Sequence, residues 1–209
     1  MQFRNRTDAG WQLGEALQPR YGGRSDVLVL ALPRGGVPVA AEVARELHAP
    51  LDIFVVRKLG VPGHEELAMG AIATGGAIVF NDEVVRNLGI PKYAIDRVIE
   101  RERVELERRE RDYRGDRPAP PVKGKTVILV DDGLATGASM HAAVQAVRAL
   151  GPAAIVIAIP AAASSTCSRL RAFVDDLVCL IKPEPFYAVS AWYEDFSQTT
   201  DQEVYNLVN

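Results

Sequence analysis

Short apolar runs rich in valine and isoleucine recur along the chain, separated by stretches in which apolar residues return every three or four positions. Runs of the first kind are strands buried on both faces, and stretches of the second are the helices that cover them. The clearest strands are expected at Val27–Leu32, Leu51–Val56, Thr126–Val130, Ala154–Ile159 and Leu177–Ile181. A helix over Val37–Leu47 places Val37, Ala40, Ala41, Ala44 and Leu47 on one face, and one over Met140–Leu150 does the same with Met140, Ala143, Val144, Val147 and Leu150. Gly151-Pro152 ends the second helix, glycine capping it and proline barring its continuation. The class is therefore α/β, with a doubly wound, mainly parallel sheet flanked by helices.

Tyr93–Arg114 follows another pattern. Acidic and basic residues interleave there, and only Ile95, Val98, Ile99, Val104 and Leu106 offer packing contacts. This predicts a long, mostly solvated helix laced by ion pairs. Arg117–Gly124, with three prolines, reads as a stiff connector back to the core.

With 209 residues, a single domain is expected. Lysine and arginine number 24 against 27 aspartates and glutamates, a formal charge of −3, so the chain has no general positive excess for a nucleic-acid backbone. Cys167 and Cys179 have no histidine near them and suit neither a zinc cluster nor a disulfide framework; both are expected as reduced core thiols. The N-terminal MQFRNRTDAG lacks the apolar core of a signal peptide, and the longest apolar run, Ala153–Ala163, is broken by Pro160. A soluble, cytoplasmic protein without a membrane partner is the expectation.

Candidate chemistry concentrates in Val127–Met140, VILVDDGLATGASM, where a buried strand passes through a loop of small residues into a helix. Such a loop aims backbone N–H groups, hydroxyls and the positive end of a helix at one point, as a phosphate dianion requires. Gly133 and Gly137 permit the tight path, and Thr136 and Ser139 can add hydroxyl donors. The loop has neither the lysine of a P-loop nor the glycine spacing of a dinucleotide fingerprint. Asp131 and Asp132 at its mouth would repel a phosphate, so they must face donors. A ribose 5-phosphate meets both demands, its phosphate in the loop and its vicinal hydroxyls on the two carboxylates, with magnesium able to share that edge. The bland alternative is a strand ending in an ordinary Asp-Asp-Gly turn.

The segment VILVDDGLATGASM resembles the phosphoribosyl-pyrophosphate (PRPP) signature of the type I phosphoribosyltransferase family. The resemblance implies that Asp131 and Asp132 hold the ribose hydroxyls, and a metal directly or through water, while Gly133 and Ala135, Thr136, Gly137, Ala138 and Ser139 cradle the 5-phosphate. Upstream, Pro33-Arg34-Gly35-Gly36 follows the first strand and is similar to the family's pyrophosphate loop, which assigns Arg34, Gly35 and Gly36 to the pyrophosphate. Lys58, at a strand end, is a further candidate there, and 59–70 stands where the family often carries a mobile lid. His64 in that segment is expected at the surface.

The resemblance covers 25–70 and 125–182, with a helical insertion at about 81–121 and a small hood at about 183–209. In the hood, Pro185–Phe196 holds five of the 14 aromatic residues. Trp192, Tyr193 and Asp195 are candidates for contacts with a planar base; equally, these rings could close the core beneath a C-terminal segment. The implied activity is transfer of ribose 5-phosphate from Mg-PRPP to a nitrogen acceptor, with Arg34, Asp131 and Asp132 as the catalytic set and Mg2+ as cofactor. Members acting on 6-oxopurines carry an aspartate where this chain has Ala135, which disfavours hypoxanthine, guanine and xanthine. A PRPP-sensing regulator and an enzyme that spends PRPP without a base are the competing readings. A homodimer is expected from the resemblance.

Overall fold

The runs of valine, leucine and isoleucine form the middle of a parallel sheet. In the computed structural model, which describes residues 2–209, the order of elements is α1 (Arg6–Tyr21), β1 (Val27–Ala31), α2 (Gly36–Leu47), β2 (Leu51–Ile53), β3 (Val56–Val61), β4 (His64–Ala73), β5 (Ile78–Phe80), α3 (Asp82–Asn87), α4 (Lys92–Arg114), β6 (Thr126–Val130), α5 (Ala138–Ala149), β7 (Ala154–Ala161), α6 (Ser164–Arg171), β8 (Asp176–Ile181) and α7 (Asp201–Val208). Five strands pair in the order β2-β1-β6-β7-β8, all parallel. Three more, β3-β4-β5, form a separate antiparallel sheet.

Alternation along the central strands divides the core in two. Val27, Val29 and Ala31 of β1, with Ile128 and Val130 of β6, face a layer built from α1, α2, α4 and α7. Leu28, Leu30, Val127 and Leu129 face α5 and α6. Each fully buried aliphatic side chain contributes about 1.5–3 kcal/mol, so neither layer can be stripped without losing the sheet. The α/β expectation holds, with one boundary moved. The run expected as one strand over Leu51–Val56 is shared between sheets: Leu51–Ile53 pairs with β1, and Val56 starts the hairpin with β4. Continuous hydrophobicity through Ile53, Phe54 and Val55 hides the point at which a strand changes partners.

Segment 59–70, expected as a loop, is mainly the hairpin of β3 and β4, which turns at Pro62-Gly63. Cys167 is buried and Cys179 half-buried, and both are free thiols. No helix among the described residues is long and apolar enough to cross a membrane.

The charged helix α4 is less solvated than its sequence suggests. Val98 and Leu106 are buried and Ile95 and Ile99 pack in part, as expected, but Val104 is 61% exposed. Charged residues take the remaining anchoring positions. Glu102, 7% exposed, accepts both forks of Arg57 from β3 at 3.0 and 2.7 Å. Arg114, 3% exposed, donates to both oxygens of Asp52 on β2 at 2.8 and 3.1 Å. Tyr113 Oη donates to Asp201 of α7 at 3.0 Å. These partners lie 45, 62 and 88 positions away in the chain, out of reach of any local periodicity.

Replacing Glu102 with alanine leaves Arg57 without its partner and should destabilise the chain. The loss should fall in the lower part of the ~3–5 kcal/mol that breaking a buried pair costs, because 28% of the Arg57 side chain remains in water. A loss below ~0.5 kcal/mol in urea unfolding, the scale of a surface pair, would remove this contact from the anchors of α4.

Candidate active site

Neighbouring strands β1 and β6 run in parallel with Ala31 opposite Val130, so their C-terminal ends finish at one level. From β1 the chain crosses by α2 to β2 on one side; from β6 it crosses by α5 to β7 on the other. The crossovers diverge here, which opens the crevice where ligands bind in doubly wound sheets. The two loops carrying the candidate chemistry, Pro33–Gly36 and Asp131–Ser139, leave the sheet on its two sides.

They touch. A Cβ on Gly35 would collide with Asp132 Oδ2, and one on Gly36 would lie 2.8 Å from the Val130 carbonyl oxygen. Both aspartates are half-buried. Asp131 Oδ1 accepts the Asp132 N–H at 2.8 Å, and Asp132 Oδ2 accepts Arg6 Nε at 2.8 Å. Among the described residues, Asp131 Oδ2 and Asp132 Oδ1 accept no hydrogen bond, so each carboxylate keeps one oxygen for an outside donor. Burial pushes both carboxyls above the usual carboxylate range, Asp131 furthest because the charge of Asp132 adds to it. The Arg6 guanidinium opposes that rise at Asp132. Bound positive charge would stabilise the ionised pair further.

Beyond the acids the loop turns into α5. Leu134 bridges to Ala162, which fixes the loop's inner edge. Thr166 Oγ1 donates to the Ala135 carbonyl at 2.7 Å, and Arg169 donates to that of Thr136. At the start of α5 the Ala138 N–H has the Thr136 hydroxyl as its partner at a long 3.5 Å, and a helix N-terminus of this kind can bind an anion. Ala135, Thr136, Ala138 and Ser139 are exposed, whereas Gly133 and Gly137 are buried. Gly137 has φ +71°, and a Cβ there would sit 2.8 Å from Thr166 Cγ2.

The remaining candidates separate. Arg34 is half-exposed and points toward α7, with Asp201 Oδ1 3.6 Å from its Nη1. Lys58 is exposed on β3, and its hydrogen bond and ion pair are both to Glu66. His64 is exposed. In the hood, Tyr193 is buried against Phe3 and donates its hydroxyl to the Asp132 carbonyl at 2.5 Å, which makes it a prop beneath the acid pair. Trp192 is half-buried and stacks on Phe186, and Asp195 is exposed with Oδ1 accepting the Ser197 N–H. Of the two sequence readings for these rings, that of closing the core describes Tyr193.

Three comparisons bear on this arrangement. A model of the phosphoribosyl transferase domain matches residues 63–193. The chain belongs to the phosphoribosyl transferase family. A Mycobacterium tuberculosis protein, provisionally named a phosphoribosyl transferase and found alike in strains CDC 1551 and H37Rv, is 46% identical over 202 residues. The match takes in 97% of this chain and 45% of that protein, so the chain spans about half the length of these curated relatives. The crystal structure of TT1426 from Thermus thermophilus superposes with TM-score 0.88 at 44% identity, over 100% of this chain and 98% of that one.

Family membership implies magnesium. Its fit can be judged from the donors present: adjacent carboxylates are the hard oxygen ligands that Mg2+ prefers. Among the described residues there is no group of three or more acidic, histidine or cysteine side chains placed to hold a metal alone. Asp131 and Asp132 therefore fit a metal that brings most of its oxygen shell with the ligand and with water.

Sequence reasoning missed Arg6. Its side chain is wedged between Asp132 and the Phe196 ring, 3.9 Å from the ring centre, with Nη1 donating to the Ser197 carbonyl at 2.6 Å. It reaches the acid pair because Gly10 and Gly14 let α1 lie directly on α2; a Cβ on Gly10 would fall 2.5 Å from the Val39 carbonyl oxygen. The only local hint was a glycine spaced four positions from another on an N-terminal segment, which does not point to a partner 126 positions away.

Gly137→Ala should cost about 1–3 kcal/mol of stability, from positive φ and from crowding against Thr166. The same variant should weaken binding of ribose 5-phosphate, measured calorimetrically beside a thermal melt. Unchanged melting and affinity would show that the loop tolerates a side chain at this turn.

Proposed function

We propose that this chain is a phosphoribosyltransferase that uses Mg-PRPP to transfer ribose 5-phosphate to a nitrogen of a nucleobase or similar small acceptor, with release of pyrophosphate, in cytoplasmic nucleotide metabolism. The observation that carries this reading is the meeting, at one switch point, of a carboxylate pair with one open oxygen on each acid and a helix N-terminus built for a phosphate. A sugar phosphate with vicinal hydroxyls is the ligand that satisfies both.

In this mechanism the two open oxygens of Asp131 and Asp132 accept the ribose hydroxyls and orient C1 toward the acceptor. The loop from Ala135 to Ser139 holds the 5-phosphate. The acceptor nitrogen attacks C1 as the bond from C1 to the pyrophosphate oxygen breaks; that bond's electrons leave with pyrophosphate, and the nitrogen loses its proton to water. Arg34 faces the departing charge, and the carboxylates stabilise positive charge that builds on the sugar. Magnesium, when bound, supplies further positive charge to the leaving group. Ala135 places no carboxylate near the base, which favours acceptors other than 6-oxopurines.

The test is pyrophosphate release from PRPP and magnesium with adenine, uracil, orotate, 6-oxopurines or no acceptor. One acceptor should stimulate release, and the Asp131→Asn/Asp132→Asn variant should be slower by ~10²-fold or more, the scale of losing a transition-state electrostatic contact. Release that ignores both acceptor and variant would sink the proposal.

A further inference from the structure

A cavity of about 290 Å³ lies beside the Pro33–Gly36 loop, walled by Arg34, by Arg108, Arg109, Asp112 and Tyr113 of α4, and by Asp201 of α7. Arg108 donates from all three of its nitrogens, to Glu105 and Asp112, but the other two arginines are little used. Arg34 donates no hydrogen bond among the described residues, and its partner in the cavity, Asp201, is held only at 3.6 Å. Arg109 donates through Nε to Glu105, and no hydrogen bond uses its two terminal nitrogens among the described residues. Glu105 also takes both forks of Arg108, so one carboxylate serves two guanidiniums. Those two arginines hold the Glu105 carboxyl down to about 2. Two carboxylates face the cavity: that of Asp112 is taken by Arg108 Nη1 at 2.7 Å, and that of Asp201, the one beside Arg34, is fixed there by the Tyr113 hydroxyl at 3.0 Å.

We propose that this cavity receives the outer phosphate of a diphosphate group, with Arg109 of α4 as a second cationic wall opposite Arg34, and that Asp201 is an internal stand-in which the ligand displaces. This rests on the PRPP reading and adds to it a specificity determinant from the long helix. A guanidinium with unused N–H groups binds a phosphate more strongly than it does a loosely held carboxylate, because the fork matches two phosphate oxygens at once. The cavity is lined by residues of the Pro33–Gly36 loop, α4 and α7 and by none of the α5-loop residues Ala135–Ser139 that would hold a 5-phosphate. The carboxylate of Asp201 therefore opposes diphosphate and leaves ribose 5-phosphate unaffected.

Calorimetric titration of the full chain with Mg-PRPP, inorganic pyrophosphate and ribose 5-phosphate separates these contributions. Arg109→Gln should weaken PRPP and pyrophosphate about tenfold, as loss of a charge-assisted pair does, and change ribose 5-phosphate less than about twofold. Arg109→Lys, which keeps the charge but not the fork, should recover part of the loss. Asp201→Asn should act in the opposite sense and tighten PRPP and pyrophosphate severalfold, a gain that a damaged fold could not produce. Variants that leave PRPP affinity unchanged, or that shift all three ligands equally, would overturn the subsite and leave the PRPP reading standing. Wild-type protein that binds neither PRPP nor ribose 5-phosphate would overturn both.

Discussion

The pairing of β1 with β6 is the constraint on which the rest of the site depends. Because Ala31 sits opposite Val130, the two loops leave the sheet at the same height, and Gly35 can lie against the Asp132 carboxylate. A shift of one residue in this register would turn every β6 side chain to the other core layer and separate the loops. Two layers of buried aliphatic side chains, one on each face of these strands, hold the register.

On that frame the site is assembled electrostatically from distant parts of the chain. Two half-buried carboxylates side by side are unfavourable, and α1 answers with Arg6, locked between Asp132 and Phe196. The long helix α4 is tied down by Arg57 to Glu102 and by Asp52 to Arg114, so its C-terminal half stands beside Arg34 and not in solvent. Tyr113 then positions Asp201, which brings α7 to the same place. Charged groups that look like a solvated face in the sequence are, in the fold, what aligns helices with the crevice.

The parts of this that could be read from sequence are those in which local pattern and chemistry agree. The strands from Val27, Thr126, Ala154 and Leu177 were legible because parallel strands buried on both faces leave unbroken apolar runs. The strand, loop and helix around Asp131–Ser139 were legible because an apolar run passes through small residues into a helical period. The second sheet was not: β3 continues the apolar run of β2, and β4 opens with the polar His64-Glu65-Glu66 of a hairpin arm. Nor were the contacts of Arg6, Arg109 and Asp201, which depend on neighbours brought together only by the fold. Tyr193, read as a possible base contact, serves instead under the acid pair because its hydroxyl reaches the Asp132 carbonyl.

That the Pro33–Gly36 loop and the Asp131–Ser139 loop form one site for one ligand is tested most directly by hydrogen–deuterium exchange with and without Mg-PRPP. Slowed exchange is expected over 34–37 and over 133–141 together, at the same ligand concentration, with little change at the exposed Lys58. Protection confined to one of the two loops, or absent from both at saturating ligand, would contradict a shared site.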